Sequence, residues 1–384
     1  MKAGLIMIVA TVTTLRTVTA QPATPPQPDT ATRATGQTAG LRLDFSGVLY
    51  AHFLYRADTG LSRGANRFDV ERAYLTFRMP AGNRTSIRIT TDLYQQTSPG
   101  NDAYYRGWSV RAKYAYVQHT YLTGAKWRAN ARLGILQNVF IEHDEQFWPR
   151  WISQSPTERA GFFSSADVGI ATAIAFPKKL GEVYATLTNG PGYTSRETDR
   201  FKDYAARVTV TPWGQSKSSL IQTASLSAWG YTGAVASKFV SGGVAQSGPI
   251  GSSLRRDRWG VHAGARSQRL TMGAEYAARI EEGEAGLNTA ALPRTVTDST
   301  IRLVSGYAIG RPLGDRSQLS LVGRYDRVTT NTATRARYDV VIAGLIWDLS
   351  DAASLSVDYQ ENNPQLGSPI ASARTYFAHC VVRF

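Results

Sequence analysis

The sequence predicts an all-β chain: a transmembrane antiparallel β-barrel of about sixteen strands, with a long third outer loop folding into the lumen. Three observations carry that expectation. Short segments of alternating apolar and polar residues recur from Leu41 to Phe384, the pattern of strands that show one face to lipid and the other to water. After the N-terminus, no apolar run reaches the roughly 18 residues that a spanning helix needs. The connections alternate between short and long, the asymmetry expected of barrel turns on one side and loops on the other.

Taken in order, residues 1–20 read as a secretory signal peptide. Lys2 supplies the positive start, Leu5–Ala10 the apolar middle and Val18-Thr19-Ala20 a small-residue cleavage site. Residues 21–40, rich in Pro, Thr and Ala, have no periodicity and are expected to form a disordered periplasmic tail. Residues 41–384 form the barrel domain. Leu43, Phe45, Leu49, Ala51 and Phe53 alternate with Asp44, Ser46, Tyr50 and His52. Ala73, Leu75, Phe77 and Met79 oppose Arg72, Tyr74, Thr76 and Arg78, and Ile87, Ile89, Thr91 and Leu93 oppose Arg88, Thr90 and Asp92. Val110–Leu122 is a further strand whose facing the pattern leaves open.

The central stretch, Lys126–Phe176, organises the rest. Trp127, Ala129, Ala131, Leu133 and Ile135 share one face, and Lys126, Arg128, Asn130 and Arg132 share the other. A second alternating run returns over Asp167–Phe176. The intervening segment, rich in Trp, Phe and charge, is too long for an ordinary hairpin connection. Further strands are expected over Glu182–Thr188, Asp203–Thr211, Ser219–Gly230, Arg258–Arg266, Arg269–Glu281, Ser299–Gly310, Gln318–Thr329, Arg337–Leu349, Ser354–Glu361 and Thr375–Phe384. The longer later connections are Tyr231–Asp257 and Glu282–Asp298. In the last strand Tyr376, Ala378, Cys380, Val382 and Phe384 share a face. A terminal Phe there resembles the signal read by the outer-membrane barrel assembly machinery.

Composition narrows the classes. Mean hydropathy of −0.26 is compatible with barrel strands, because alternation hides their apolar face from an average. Cys380 is the single cysteine, so neither an intrachain disulfide nor a cysteine metal cluster can form. The formal charge is +14; Lys2 and Arg16 lie in the leader, leaving +12. The basic residues are scattered singly along alternating strands, which favours an anion-attracting lumen over nucleic acid. No cofactor is implied.

Two constellations bear on function. By alternation Arg72, Arg78, Arg88, Arg128, Arg132, Arg207, Arg258, Arg266, Arg269, Arg279, Arg302 and Arg324 should face the lumen. Cations on low-dielectric walls concentrate anions, and guanidinium offers paired donors to phosphate or carboxylate. The plainer reading pairs them with Asp44, Asp92, Glu275 or Asp326. The second constellation is the long loop, in which Phe140, Phe147, Trp148 and Trp151 should pin the segment to the wall. Glu142, Asp144 and Glu145 would then face the permeation path beside Arg150 and Arg159. Glu142, His143, Asp144 and Glu145 also admit a metal reading, but contiguous residues rarely converge on one ion. Five histidines are present, yet no Gly-x-Ser-x-Gly elbow and no P-loop occur, so an enzyme is not expected.

Asn66–Phe77, Leu133–Gln137, Phe140–Glu142 with Glu145, Trp148 and Arg150, and Gly161–Ile170 together resemble the phosphate-selective porin O/P family. The resemblance implies a sixteen-stranded, usually homotrimeric porin of the bacterial outer membrane whose third outer loop narrows the channel. Phosphate-selective members would place arginine and lysine at that constriction, whereas this loop opens with Glu142, Asp144 and Glu145. The expectation is therefore a water-filled channel for small hydrophilic solutes with an anion preference, phosphate being one candidate solute. Its partners would be outer-membrane lipid and small anions, without nucleic acid. A barrel plugged by its loop, with a structural or docking role, and a barrel hydrolase are the alternatives.

Overall fold

Sixteen strands close into one antiparallel barrel: most alternate in the sense read from the sequence, and a closed sheet leaves no unpaired edge. The computed structural model describes residues 43–59, 61–95, 107–124, 126–212, 220–236, 238–241, 244–247, 253–285, 295–365, 367–368 and 370–384. The signal peptide and the periplasmic tail expected at residues 1–40 lie outside them. The first half of the wall comprises β1 (Asp44–Arg56), β2 (Asn66–Pro80), β3 (Thr85–Gln95), β4 (Trp108–Thr123), β5 (Arg128–Gln137), β6 (Ala166–Ala175), β7 (Gly181–Thr188), β8 (Asp203–Val210) and β9 (Thr223–Ala236). A two-stranded ribbon, β10 (Lys238–Ser241) and β11 (Val244–Ser247), follows. The wall then continues through β12 (Ser253–Arg266), β13 (Leu270–Ala285), β14 (Thr295–Gly310), β15 (Leu319–Asn331), β16 (Ala336–Asp348), β17 (Ala353–Pro364) and β18 (Ala373–Arg383). Neighbours pair in chain order, β9 pairs with β12 across the ribbon, and β18 pairs back onto β1.

The seam between β1 and β18 is fixed at its end by the last residue. Gly47 N–H donates to the Phe384 carbonyl at 2.7 Å, and Phe384 N–H returns a bond to the Gly47 carbonyl at 3.0 Å. The Phe384 ring lies where a Cβ on residue 47 would stand, so any larger side chain there would have to displace that ring.

Outside, Leu133, Ile170, Val208, Leu226, Val261, Val304, Leu321, Leu345 and Val357 are exposed and form the apolar belt. Exposed aromatics flank it, with Phe45, Trp127, Trp347 and Phe384 near the short turns and Trp108, Tyr204, Tyr325 and Tyr376 towards the longer connections.

Three departures from the sequence reading have physical causes. The connections expected over Tyr231–Asp257 and Glu282–Asp298 are shorter, because β9, β12, β13 and β14 run on past the belt. There the outward positions are polar, as where Thr232 Oγ1 donates to Asp257 Oδ1 at 2.7 Å, so apolar alternation no longer marks the strand. Single extra residues interrupt the ladders: Glu71 between the pairs Tyr50–Arg72 and Ala51–Val70, and Lys113 between Thr90–Tyr114 and Thr91–Ala112. Such bulges slip the facing by one residue, and Lys113 is why Val110–Leu122 gave no settled face. Finally, Arg302 does not face the lumen. It is exposed on the outward face of β14 with Val304 and Ala308, while Leu303, Ser305 and Tyr307 point in and are buried.

Candidate functional site

The segment between β5 and β6, residues 138–165, packs against the inner wall. Asn138 closes its neck. Its side-chain carbonyl accepts the Phe140 and Ile141 amides at 2.9 and 2.8 Å, and its amide donates to the Ser164 carbonyl at 2.6 Å. Two helical turns follow, α1 (Ile141–Asp144) and α2 (Pro156–Arg159); α2 is capped by Ser155, with Pro156 opening the turn. The aromatics provide the packing. Phe140, Trp148 and Phe162 are fully buried, the Phe163 ring lies tilted 4.7 Å from Trp229 and Trp148 lies 5.3 Å from Tyr307.

Polar contacts then fasten the segment around much of the circumference. On β8, Arg207 Nε donates to the Val139 carbonyl at 2.6 Å, and on β9 Ser227 Oγ lies 2.8 Å from His143 Nε2. Tyr307 on β14 donates to Asp144 Oδ1 at 2.5 Å, with His262 Nε2 of β12 at 3.4 Å. Arg279 on β13 and Arg258 on β12 donate to the Gly161 and Phe162 carbonyls. Arg324 on β15 donates to the Gln154 carbonyl at 2.6 Å, and Gln360 on β17 to the Ile152 carbonyl at 2.9 Å.

The four contiguous residues that admitted a metal reading are sent in four directions by the α1 turn. Glu142 goes to Arg88 at 3.6 Å, His143 to Ser227, Asp144 to Tyr307 and Glu145 to Arg150 at 3.0 Å. Among the described residues no three His, Cys, Asp or Glu side chains are placed to hold a metal. The expectation that the loop charges face an open path also needs correction. Asp144 and Arg150 are buried, Arg150 between Glu145 and Glu158, and Arg159 donates to Asn362 at 2.8 Å and Gln360 at 3.2 Å. These charges fasten the loop to itself and to the wall. Burial pushes the Asp144 carboxyl up to about 7, against the lowering effect of the Tyr307 hydroxyl and Arg324. Burial, with Arg207 and His262 adding to it, holds His143 well below the usual imidazole range. Burial likewise raises the Glu145 carboxyl despite Arg150.

Of the arginines expected in the lumen, Arg72 meets Asp92 at 3.0 Å, Arg88 meets Glu142, Arg207 meets Glu182, Arg258 meets Glu281 with Nε at 2.8 Å, and Arg324 meets Asp326. Arg132 donates to Gln118 at 2.7 Å and Gln137 at 3.2 Å. Arg78 lies in the ladder opposite Asp44 and Arg88. Arg128 opens β5 and is exposed at the rim. Most are therefore paired, as the plainer reading held. The pairing is uneven, however. Asp92 alone serves both Arg72 and Arg111, each at 3.0 Å, and Glu281 serves both Arg258 and Arg279. Lys113, buried, rests 4.1 Å over the Tyr74 ring. Sequence alternation missed Arg111 and Lys113 because both lie at the bulge of β4.

Beneath the loop, at the short-turn rim, Pro149 and Trp151 roof a cavity of about 770 Å³. Arg266, Arg269, Arg311, Arg316 and Arg383 line it with Asp315, Asp348 and Asp351. Arg311 meets Asp348 at 3.2 Å and Arg269 meets Asp315 at 3.7 Å. Arg266, Arg316 and Arg383 have no ion pair among the described residues.

No family model matches the chain, and no curated protein matches it. Solved structures do. The anion-selective porin of Comamonas acidovorans superposes with a TM-score of 0.60 at 10% identity, covering 90% of this chain and 100% of that one. The outer-membrane channel DcaP of Acinetobacter baumannii gives 0.57 at 14% identity over 91% of this chain and 99% of that one. The trimer form of OmpT, an outer-membrane protein of Vibrio cholerae, gives 0.54 at 13% identity over 90% of this chain and 100% of that one. A closed barrel of sixteen antiparallel strands, shared over nearly the whole length of these chains, gives this protein the fold of the bacterial outer-membrane porins.

Proposed function

We propose that this protein is an outer-membrane porin, exported by residues 1–20, that passes small hydrophilic solutes by passive diffusion with a preference for anions. Phosphate is among the anions it would pass. The observation that carries the preference is the uneven pairing in the lumen, where two guanidinium groups share one carboxylate at Asp92 and again at Glu281. A surplus of fixed positive charge on a low-dielectric wall raises the local anion concentration. The arginine-rich cavity under the loop extends that surplus towards the short-turn rim. A homotrimer in the outer membrane is the assembly we infer, supported by the fold and by the trimeric form of the Vibrio cholerae neighbour.

A second reading is favoured by the anchoring of the loop. A segment bonded to β8, β9, β12, β13, β14, β15 and β17 suits a plug, which would give the barrel a structural or docking role. Purified protein in a planar bilayer under a KCl gradient separates the two. Open channels with a chloride-selective reversal potential support the porin, and block by added phosphate adds a phosphate site. Absence of conductance from a correctly folded barrel supports the plug.

A further inference from the structure

Arg302, excluded from the lumen, belongs to a different surface. In the ladder it stands opposite Thr329 of β15, which stands opposite Arg337 of β16. With strands about 4.8 Å apart, the two arginine backbones are about 10 Å from one another across the sheet, so their long side chains can converge on one anion. Both are exposed, and neither has an ion pair among the described residues. Arg327 lies two residues nearer the belt on β15, 46% exposed and 3.0 Å from Asp339, with the exposed Tyr325 beside it. One carboxylate among three guanidinium groups leaves the patch cationic. Below the row the outward face turns apolar, first at Val304, which pairs with Arg327, then at Tyr325 and Val341, and nearer the short turns at Leu321 and Leu345.

We propose that the outward row Arg302–Thr329–Arg337, with Arg327, binds the phosphate of a lipid headgroup. Guanidinium pairs hold phosphate oxygens bidentately. The argument for a lipid is continuity: a molecule that meets both the cationic row and the apolar belt beneath it carries an anionic head on acyl chains. The barrel wall separates this face from the lumen, so the site is independent of the anion path proposed above.

The test uses full-length protein in a neutral detergent, with retained lipid counted by native mass spectrometry. The probe is a glucosamine-based lipid bearing phosphate monoesters, set beside the same lipid with its phosphates removed. Saturable retention of the phosphorylated form is expected. R302A/R337A should weaken it about thirtyfold, the share of two arginines in attraction to anionic headgroups. R302K/R337K, which keeps the charge and the aliphatic stems, should retain most of the affinity and guards against loss of fold in the alanine pair. Inorganic phosphate in large excess should fail to displace the lipid. Equal retention of the dephosphorylated lipid, unchanged retention in R302A/R337A, or displacement by inorganic phosphate at matched concentration would each overturn the proposal.

Discussion

Leu133 and Asp144 show how differently two residues of one stretch are constrained. Leu133 is 64% exposed on the lipid face of β5. Leu133→Arg should cost roughly 2–4 kcal/mol if the residue lies near the bilayer midplane, read as a lower urea midpoint in vesicle unfolding. Asp144 is buried, and burial pushes its carboxyl up to about 7, above the ordinary carboxylate range. The folded state therefore holds a proton that the unfolded chain releases, and the contribution of this residue to stability falls as pH rises from about 4 to about 7. His143 acts in the opposite sense. It is kept neutral when folded, so its contribution is lost as pH falls below about 6.5, where the unfolded imidazole binds a proton. The difference between wild type and Asp144→Asn isolates the first effect. The variant should gain relative stability with rising pH across that window and level off above it, and a flat difference would show that Asp144 titrates normally.

At the scale of elements, the β1–β18 seam makes a sharp demand. Gly47→Val would put its side chain where the Phe384 ring lies and push that ring off the seam that closes the barrel. The expected outcome is a fall in assembled, heat-modifiable barrel on gels, whereas Gly306→Val, where a Cβ meets open space, should assemble at near wild-type yield. The strands were legible because each keeps period-2 alternation through the belt, and Leu133, Ile170 and Val208 declared their faces directly. What alternation does not encode is an extra residue. Lys113 and Glu71 break the count without any local signal, and their facing follows from the partner strand. Arg302 was misassigned for a related reason: above the belt an outward side chain meets water and headgroups, so polarity no longer distinguishes outside from inside. The aromatic loop residues announced burial, but the partners of Asp144, Arg159 and Ile152 did not. Those partners lie 163, 203 and 208 positions away, brought close by closure of the sheet.

For the molecule as a whole, the anion preference proposed above would be a sum over fixed charges. Arg111→Ala and Arg279→Ala each remove one guanidinium from a shared carboxylate while leaving the other partner in place. Each should lower the anion-to-cation permeability ratio by about a factor of two to five, the weight of one charge screened by water and salt. Asp92→Asn should raise the ratio, and reversal potentials unmoved in all three variants would remove these clusters from the permeation path. The fastening of the loop also sets an order of events in time. Its bonds run to β8 in one half of the wall and β17 in the other, so its seats exist only once the strands between them stand together. Contacts of such separation form late. The loop should therefore dock after the hairpins have paired, and Trp148 and Trp151, buried side chains of the loop itself, become a clock for that last event. In a variant that keeps those two indoles alone, fluorescence should change in a slow phase trailing the growth of β-sheet circular dichroism. A nascent barrel would thus pass through an interval in which its wall is complete and its interior still open.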